Sequence, residues 1–293
     1  VPLRTILKRV HLINGLIESV DHPSKKAVVR PLEGDSYDIS YDHVVLGLGS
    51  ISRVLPVPGL AEEAVGFKTV AEAIYLRNQV LSRLDIAEST QDPAVRKRAL
   101  TFTFVGGGYA GVEALAELED LARDACRYYS SVNREDMRWV LVEAAGGILP
   151  EIGDELAAYA LERLAKRGIE VHLNTRLESA SGGVMKLSTG EEFGSETLVW
   201  TAGVKAHPLA SVVGFPADQK GRVEVDEFLR VRGVSGAWAA GDCAAVPDLT
   251  TGGICPPTAQ HALRQARRLG KNVAATIAGK TPHCVAASST GMT

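Results

Sequence analysis

Residues 100–113 read Leu-Thr-Phe-Thr-Phe-Val-Gly-Gly-Gly-Tyr-Ala-Gly-Val-Glu, and this stretch decides the fold. Its first six residues are apolar and rich in β-forming types, and apolar residues recur at helical spacing after the glycines. Gly106, Gly108 and Gly111 satisfy the pattern G-x-G-x-x-G within this strand–turn–helix. In such a pattern the glycines permit a tight turn, a close approach of backbone to a pyrophosphate, and close packing of helix on strand. The stretch therefore predicts a cradle for a dinucleotide, with the phosphates at the helix N-terminus.

An acidic residue at the end of the next predicted strand indicates which nucleotide binds. Residues 139–142 read Trp-Val-Leu-Val and lead into Glu143. A carboxylate there can accept from both hydroxyls of an adenosine ribose and would repel a 2′-phosphate, so we predict NAD(H) rather than NADP(H). The alternative is an ordinary strand–helix turn beside an unrelated acidic residue. The predicted loop contacts are Gly106, Gly107, Gly108, Tyr109, Ala110, Gly111 and Glu143.

Composition limits the classes of protein that the chain can belong to. With 293 residues, 45% hydrophobic and 23% charged, it has the size and composition of two ordinary globular domains. The net charge of −3 argues against a nucleic-acid partner. No apolar run is long enough to span a bilayer, and no signal-peptide pattern opens the sequence. The four cysteines lack a C-x-x-C pair and metal-ligand spacing, which predicts free thiols in a reducing cytoplasm and no metal site.

Two copies of one unit follow each other along the chain. The second copy opens with the glycine pattern at residue 106, whereas the first has no such opening. We therefore expect a strand–glycine loop–helix segment to precede Val1 in a longer protein. The second copy has a helix at 154–167, a strand at 169–173, a hairpin around 188–190 and a strand at 198–203. The first copy has a helix at 2–9, a strand at 10–13, a hairpin-like polar stretch and a strand at 44–49. Val10-His11-Leu12 of the first copy matches Val171-His172-Leu173 of the second.

A second nucleotide site is predicted near the C-terminal end of the chain. Residues 237–242 read Ala-Trp-Ala-Ala-Gly-Asp, a short apolar strand that ends in a carboxylate able to bind a ribityl hydroxyl. Pro256 and Pro257 are predicted to fix the first turn of a helix that runs to about Ile277. Its positive end suits a reduced, anionic flavin ring, so we predict FAD. We also expect strands 44–49 and 237–241 to lack a partner, which favours association and weak FAD retention.

Taken together, these features resemble the type II NADH dehydrogenases. The resemblance rests on residues 141–144 with 148–150, 199–204, and Ala-Gln-His-Ala at 259–262 with Gln265. It implies an α/β fold with two Rossmann-like dinucleotide-binding domains of three-layer β/β/α type, the NAD domain being inserted in the FAD domain. The implied bounds are 1–65 and 204–280 for the FAD domain, 66–203 for the NAD domain and 281–293 for the start of a C-terminal region.

The resemblance also implies an activity and a location. Members of this family are peripheral enzymes that pass electrons from NADH through FAD to a quinone. We therefore expect a cytoplasmic protein at the inner face of the cell membrane, attached through a segment beyond Thr293, with a homodimer as one assembly to test. The alternatives are another FAD-linked NADH reductase of ferredoxin type and a non-catalytic NAD-binding module.

Residue roles follow from the same resemblance. Glu113 is expected near the nicotinamide and the flavin, and Gln260 is expected to act on the quinone. For each residue a structural role is the alternative: a favourable helix-start charge for Glu113, a turn cap for Asp242 and surface amides for the glutamines. His261 is more readily a packing residue than a proton donor, and Cys243 an inert thiol. The remaining implied contacts are Gly49, Ala202, Gly203, Gly241, Asp242, Ala259, Gln260 and His261 for cofactors, and Gln260 with Gln265 for the quinone.

Overall fold

The computed structural model describes residues 3–53 and 55–285. The predicted helix start at Pro2 and the end of the predicted C-terminal region, 286–293, lie outside them. The helices are α1 (Leu3–Ile6), α2 (Leu60–Glu63), α3 (Val70–Ser89), α4 (Pro93–Ala99), α5 (Tyr109–Ala125), α6 (Asp154–Lys166), α7 (Leu209–Val212) and α8 (Ala259–Ile277). The strands are β1 (Gly15–Asp21), β2 (Lys26–Pro31), β3 (Tyr37–Ser40), β4 (Val44–Leu46), β5 (Ser50–Ser52), β6 (Ala64–Val65), β7 (Thr101–Val105), β8 (Arg138–Val142), β9 (Ile169–His172), β10 (Leu177–Ser179), β11 (Val184–Leu187), β12 (Glu192–Gly194), β13 (Thr197–Trp200), β14 (Val204–Ala206), β15 (Val223–Glu224), β16 (Ala237–Ala239) and β17 (Ala244–Ala245).

These elements form two units along the chain. The inserted unit is the continuous stretch Ser52–Val204, and the flanking unit joins the described residues up to Ile51 with those from Lys205 onward. The order of the chain is therefore that of one unit interrupted by the other. The assignment of the two units to NAD(H) and FAD stays a prediction.

The inserted unit has three layers. Its central sheet has the strand order β6-β13-β7-β8-β9, and every neighbouring pair is parallel. The antiparallel sheet β10-β11-β12 covers one face, and α3, α5 and α6 pack on the other. A parallel sheet needs cover on both faces because both are apolar. This arrangement confirms the predicted α/β fold of three-layer β/β/α type.

Alternation along the central strands shows why both faces are buried. Phe104 of β7 and Leu141 of β8 point into the core shared with the helices. Their chain neighbours Val105 and Val142 point into the core shared with the antiparallel sheet. Successive side chains of a strand face opposite sides, so the continuous apolar run seen in the sequence is what a doubly covered strand requires.

The flanking unit contains three small sheets. β1-β2-β3 is antiparallel, whereas β4 pairs with β16 and β15 with β17 in parallel. The core of the unit surrounds Trp238, with Leu46 and Leu229 beside it. Helix α8 packs on this core through Leu269. The buried amide of Asn272 ties the helix to two loop carbonyl groups, those of Phe228 and His283, at 2.9 and 2.8 Å.

Several predictions about the elements are confirmed. Helix α6 covers the predicted range, and Gly168, with φ of 79°, follows its end as a left-handed glycine. The predicted hairpin is the turn between β11 and β12. In the first copy of the repeat, the polar stretch after α1 forms the meander β1-β2-β3, which corresponds to β10-β11-β12.

Other predictions about the elements are wrong. Residues 10–13 are not a strand, because no strand among the described residues lies beside them to share hydrogen bonds. Strands 44–46 and 237–239 do have partners, since they pair with each other. Pro256 and Pro257 lie before α8 rather than in its first turn, because Thr258 is the N-cap.

Candidate functional site

The glycine loop lies between β7 and α5 in the inserted unit. Gly106 has φ of 115°, which disfavours any side chain, and a Cβ there would lie 2.6 Å from Thr201 Oγ1. A Cβ on Gly111 would collide with the carbonyl oxygen of Gly106. Around Gly108, in contrast, no atom lies within 4 Å of an added Cβ. Of the three glycines of the pattern, Gly106 and Gly111 are therefore required by packing, and Gly108 faces open space.

The start of α5 can receive an anion. Gly108 is its N-cap and offers no side chain to the first-turn N–H groups, which begin with those of Tyr109 and Ala110. Such N–H groups carry the positive end of the helix dipole and bind phosphate oxygens. The open space at Gly108 leaves room for a ligand backbone to approach, so the residues present fit a dinucleotide pyrophosphate.

Glu143 returns to the same loop from the end of β8. Its carboxylate accepts a hydrogen bond from the Gly107 N–H at 2.5 Å and another from the Ala145 N–H at 2.6 Å. The acidic residue and the glycines are far apart in sequence, yet they share one site, as the predicted ribose contact requires. Whether Glu143 binds ribose stays a prediction.

Two residues of this site were not selected from the sequence. Thr201 directly follows β13. Its hydroxyl lies 3.1 Å from the Val105 carbonyl and 3.2 Å from that of Gly106, and it stabilises the glycine turn through these contacts. Leu149 has φ of 51°, rare for a branched residue, and its N–H donates to the Gly107 carbonyl at 2.8 Å. Both residues lie in stretches that carry the resemblance, 148–150 and 199–204, and Thr201 also directly follows a strand.

The positions of the other expected site residues of the inserted unit do not define their roles. Glu113 is exposed on α5, so the structure gives it no partner that would settle its role. Ala202 lies under the glycine turn, where its N atom would be 2.8 Å from a Cβ on Gly106. Gly203 follows with φ of 87°. Their contacts with a cofactor stay predictions.

In the flanking unit, the predicted Gly-Asp turn follows β16. Gly241 has φ of 75°, and the turn Gly241–Cys243 is a short 3₁₀ segment. The Asp242 carboxylate accepts from the Ser50 hydroxyl at 2.7 Å, although 192 positions separate the two residues. Ser50 is buried and directly follows Gly49, which has φ of 67°. The sequence indicated Asp242 but gave no signal for Ser50.

The two glutamines of α8 have different surroundings. Gln265 is 3% exposed, and its Oε1 accepts from the Gly241 N–H at 2.8 Å. Gln260 and Ala259 are exposed in the first turn, while the N–H of half-buried His261 donates to the Thr258 hydroxyl at 3.4 Å. Gln265 thus supports the turn that carries Asp242, and Gln260 is the amide accessible to a ligand.

The thiols near this turn are poorly suited to redox chemistry. Burial raises the pKa of the Cys243 thiol, whose Sγ lies 3.4 Å from the Ala240 carbonyl. Burial also raises the pKa of Cys255, with a further contribution from the charge of Asp248. The thiolate is the reactive form, so both cysteines are held as thiols. Within 3–53 and 55–285, no three His, Cys, Asp or Glu side chains are grouped to hold a metal ion, and no helix has the length and hydropathy of a membrane span.

The comparisons with known proteins agree with this architecture. Residues 5–266 match the pyridine nucleotide-disulphide oxidoreductase family, and the chain belongs to that family. In sequence it is similar to the type II NADH:quinone oxidoreductase Ndh of Mycobacterium tuberculosis, with 31% identity over 292 residues, 96% of this chain and 62% of the relative. The external alternative NADH-ubiquinone oxidoreductase of Yarrowia lipolytica mitochondria is 29% identical over 83% of this chain and 46% of its own length. The resemblance to type II NADH dehydrogenases is thereby confirmed.

Solved structures show the same fold. NDH2 from Plasmodium falciparum in complex with NADH superposes with a TM-score of 0.79 at 18% identity, over 88% of this chain and 67% of that one. A ferredoxin reductase from Rhodopseudomonas palustris gives 0.74 at 22% identity, over 96% and 62%. At such identities the likeness concerns the fold alone. The chain spans about half to two-thirds of the length of these relatives.

Proposed function

We propose that this chain is the nucleotide-binding part of an FAD-dependent oxidoreductase that oxidises NADH and reduces a quinone. The observation that carries the proposal is the contact between the Glu143 carboxylate and the Gly107 N–H at 2.5 Å. It joins an anion-binding helix start to an acidic group able to select an unphosphorylated ribose. The printed names of the similar proteins, which are NADH:quinone and NADH-ubiquinone oxidoreductases, support the quinone as acceptor.

The inserted unit would bind and orient NADH. The first-turn N–H groups of α5 donate to the pyrophosphate, which reaches them across the open space at Gly108. Glu143 exchanges its contact with the Gly107 N–H for the two ribose hydroxyls. Packing of Gly111 on Gly106 and Thr201 keeps these donors in place, so that binding requires little rearrangement of the loop.

The flanking unit would bind FAD through the Asp242 turn. Asp242, oriented by Ser50, accepts from a ribityl hydroxyl, and the N-terminal turn of α8 supplies a positive potential for a flavin ring. When bound, FAD supplies the acceptor for the hydride of NADH and passes the two electrons to the quinone. The balance is NADH, a proton and a quinone giving NAD⁺ and a quinol.

The exposed amide of Gln260 is the proposed quinone contact. It can donate to a quinone carbonyl, whereas the amide of Gln265 is buried at 3% exposure and its oxygen accepts from the Gly241 N–H. Because quinones are lipid-soluble, the proposal includes peripheral attachment at the inner face of the cell membrane. A homodimer is part of the same proposal. Flotation of the complete protein with liposomes and its mass in solution test these two points.

The test of the activity uses the complete protein that contains this chain, purified with FAD. NADH oxidation is measured with a soluble quinone, with a ferredoxin and with NADPH in place of NADH. We expect quinone-dependent oxidation of NADH in preference to NADPH. Transfer to ferredoxin alone would indicate a ferredoxin-type reductase, and nucleotide binding without any turnover would indicate a non-catalytic module. Either result contradicts the proposal.

The variant Gln260→Ala tests the quinone contact. One hydrogen bond contributes about 1 kcal/mol, so reoxidation of the flavin by quinone should slow several-fold while its reduction by NADH is unchanged. Stopped-flow absorbance separates the two half-reactions. If the variant slows reduction and spares reoxidation, Gln260 serves the nucleotide and the assignment is wrong.

A further inference from the structure

Two peptide units of the glycine turn have their carbonyl groups fixed from outside the turn. The Gly106 carbonyl lies 3.2 Å from the Thr201 hydroxyl, and the Gly107 carbonyl accepts from the Leu149 N–H at 2.8 Å. Thr201 follows β13, and Leu149 lies in the loop after β8, so neither belongs to the turn that it holds. The orientation of both peptide planes is therefore decided by residues that are distant in sequence.

The Thr201 hydroxyl has one hydrogen and two carbonyl oxygens within reach. The Val105 oxygen, 3.1 Å away, already accepts from the Thr201 N–H at 2.9 Å. Within the described part of the chain, the hydroxyl is the only hydrogen-bond donor to the carbonyl of buried Gly106. A buried carbonyl without a partner is costly, so the hydrogen goes to Gly106. A Cβ on Gly106 or on Gly111 would lie 2.6 Å from the hydroxyl oxygen, so both glycines leave room for it.

A fixed carbonyl also fixes the N–H of the next residue. The two groups belong to one planar trans peptide and point to opposite sides of it. Because the Gly106 carbonyl points to Thr201, the Gly107 N–H points away from that residue. There this N–H donates to the Glu143 carboxylate at 2.5 Å. Thr201 and Glu143 thus hold opposite ends of the same rigid unit.

The second peptide unit is oriented in the same way. Its carbonyl, that of Gly107, is held by Leu149, so the Gly108 N–H points to the opposite side. Among the described residues this N–H has no acceptor, and the space around Gly108 is open. Leu149 has φ of 51°, a conformation that a leucine keeps only where its surroundings impose it. The directions of both N–H groups are therefore set before a ligand binds.

We propose that Thr201 is a positioning residue for the nucleotide, a role that rests on the proposed function of the glycine loop. Its hydroxyl keeps the Gly107 N–H directed at the place that the Glu143 carboxylate occupies in the free protein. When Glu143 turns to the ribose hydroxyls, this N–H donates to a pyrophosphate oxygen instead. Without the Thr201 hydroxyl the peptide plane is free to rotate, and binding then includes the cost of ordering it.

The test compares three variants of the complete protein, purified with FAD. Thr201→Val keeps the shape and loses the hydroxyl, whereas Thr201→Ser keeps the hydroxyl and loses a methyl group. Thr103→Val is the matched control, because Thr103 is fully buried on the neighbouring strand β7 and its hydroxyl has no partner to lose. Calorimetry measures the affinity for ADP-ribose, which contains the pyrophosphate and the adenosine ribose. Stopped-flow absorbance measures flavin reduction over a range of NADH concentrations.

The expected effect is on affinity and not on the rate at saturation. Thr201→Val should weaken ADP-ribose binding about fivefold, which corresponds to the loss of one hydrogen bond. The NADH concentration that gives half-maximal flavin reduction should rise by the same factor. The limiting rate should be unchanged, since the affected N–H contacts the pyrophosphate and not the reacting ring. Thr201→Ser should restore the wild-type affinity, and Thr103→Val should leave it unchanged.

The remaining outcomes overturn the proposal or the function on which it rests. Wild-type affinity in Thr201→Val, or equally weak binding by Thr201→Ser, would show that the hydroxyl does not orient the loop. A lower limiting rate at unchanged affinity would place Thr201 in hydride transfer instead. A wild-type protein that binds ADP-ribose but passes no electrons from NADH to a quinone contradicts only the proposed function, because the affinities of the variants still decide the role of Thr201. Absence of ADP-ribose binding by the wild type would overturn both.

Discussion

The two candidate nucleotide sites are built in different ways. The glycine-loop site consists of one strand–turn–helix and the end of the next strand. Steric contacts at Gly106 and Gly111 determine the conformation of its loop. The Asp242 site joins three distant segments through hydrogen bonds, which include those from Ser50 to Asp242 and from the Gly241 N–H to Gln265. A steric site fails abruptly when an atom is added, whereas a hydrogen-bonded site weakens in steps of a kcal/mol or so.

The largest effect on stability and on NADH binding is expected for Gly111→Ala. Its Cβ would collide with the Gly106 carbonyl, so α5 must move away from β7, which should cost about 1–3 kcal/mol and abolish NADH binding. Urea unfolding and fluorescence titration measure the two effects. The control is Gly108→Ala, where the space is open: stability should be retained and NADH binding weakened. Unchanged stability of Gly111→Ala would show that the loop is not sterically determined.

The second-largest effect, on NADH binding, is expected for Glu143→Ala. Removal of the carboxylate should weaken NADH binding about tenfold, because hydrogen bonds to charged groups contribute about 1.5–3 kcal/mol. It should also narrow the preference for NADH over NADPH, because the repulsion of a 2′-phosphate is lost. Glu143→Gln, which keeps an acceptor without the charge, separates these two contributions. Equal or tighter binding of NADPH to the wild type would refute the role of this residue.

A smaller effect is expected for Gln265→Leu in the flanking unit. The substitution leaves the Gly241 N–H without its acceptor, which should lower the free energy of unfolding by about 1–3 kcal/mol. The matched control is Gln260→Leu, five positions earlier on the same helix but exposed, which should leave stability unchanged. If both variants unfold at the same urea concentration, the Gln265 contact does not hold the Asp242 turn.

The smallest effect concerns the reactivity of Cys243. Burial raises its thiol pKa, so the fraction of reactive thiolate stays low through neutral pH and rises only on the alkaline side of the ordinary thiol value. In a Cys284→Ser background, which removes the exposed thiol, modification by a disulfide reagent should therefore be slow near neutral pH. A Cys243→Ser variant of that background identifies the signal. Rapid loss of Cys243 at neutral pH would indicate a redox thiol.

Local sequence patterns were sufficient to predict much of the secondary structure of the inserted unit. The glycine pattern, the apolar strands and Gly168 each act through neighbours in sequence, and the structure has them where the sequence predicted them. Even the contact of Glu143 with the loop follows from a local rule, because adjacent parallel strands end at the same edge of a sheet. The identities of the ligands stay predictions.

Tertiary structure decided what local patterns could not. Residues 10–12 match residues 171–173 in sequence, yet only the second segment lies in a strand with a neighbour. A strand exists only where its hydrogen bonds are met. Ser50 carries no motif, and Gln265 was expected at the quinone. The contacts that both residues make in the structure arise only when folding brings each beside a partner. The amino-acid sequence by itself determined elements and turns, because these depend on side-chain periodicity and glycine sterics. The partners of single polar groups were decided by packing, because a hydrogen bond depends on distance in space and not on separation in sequence.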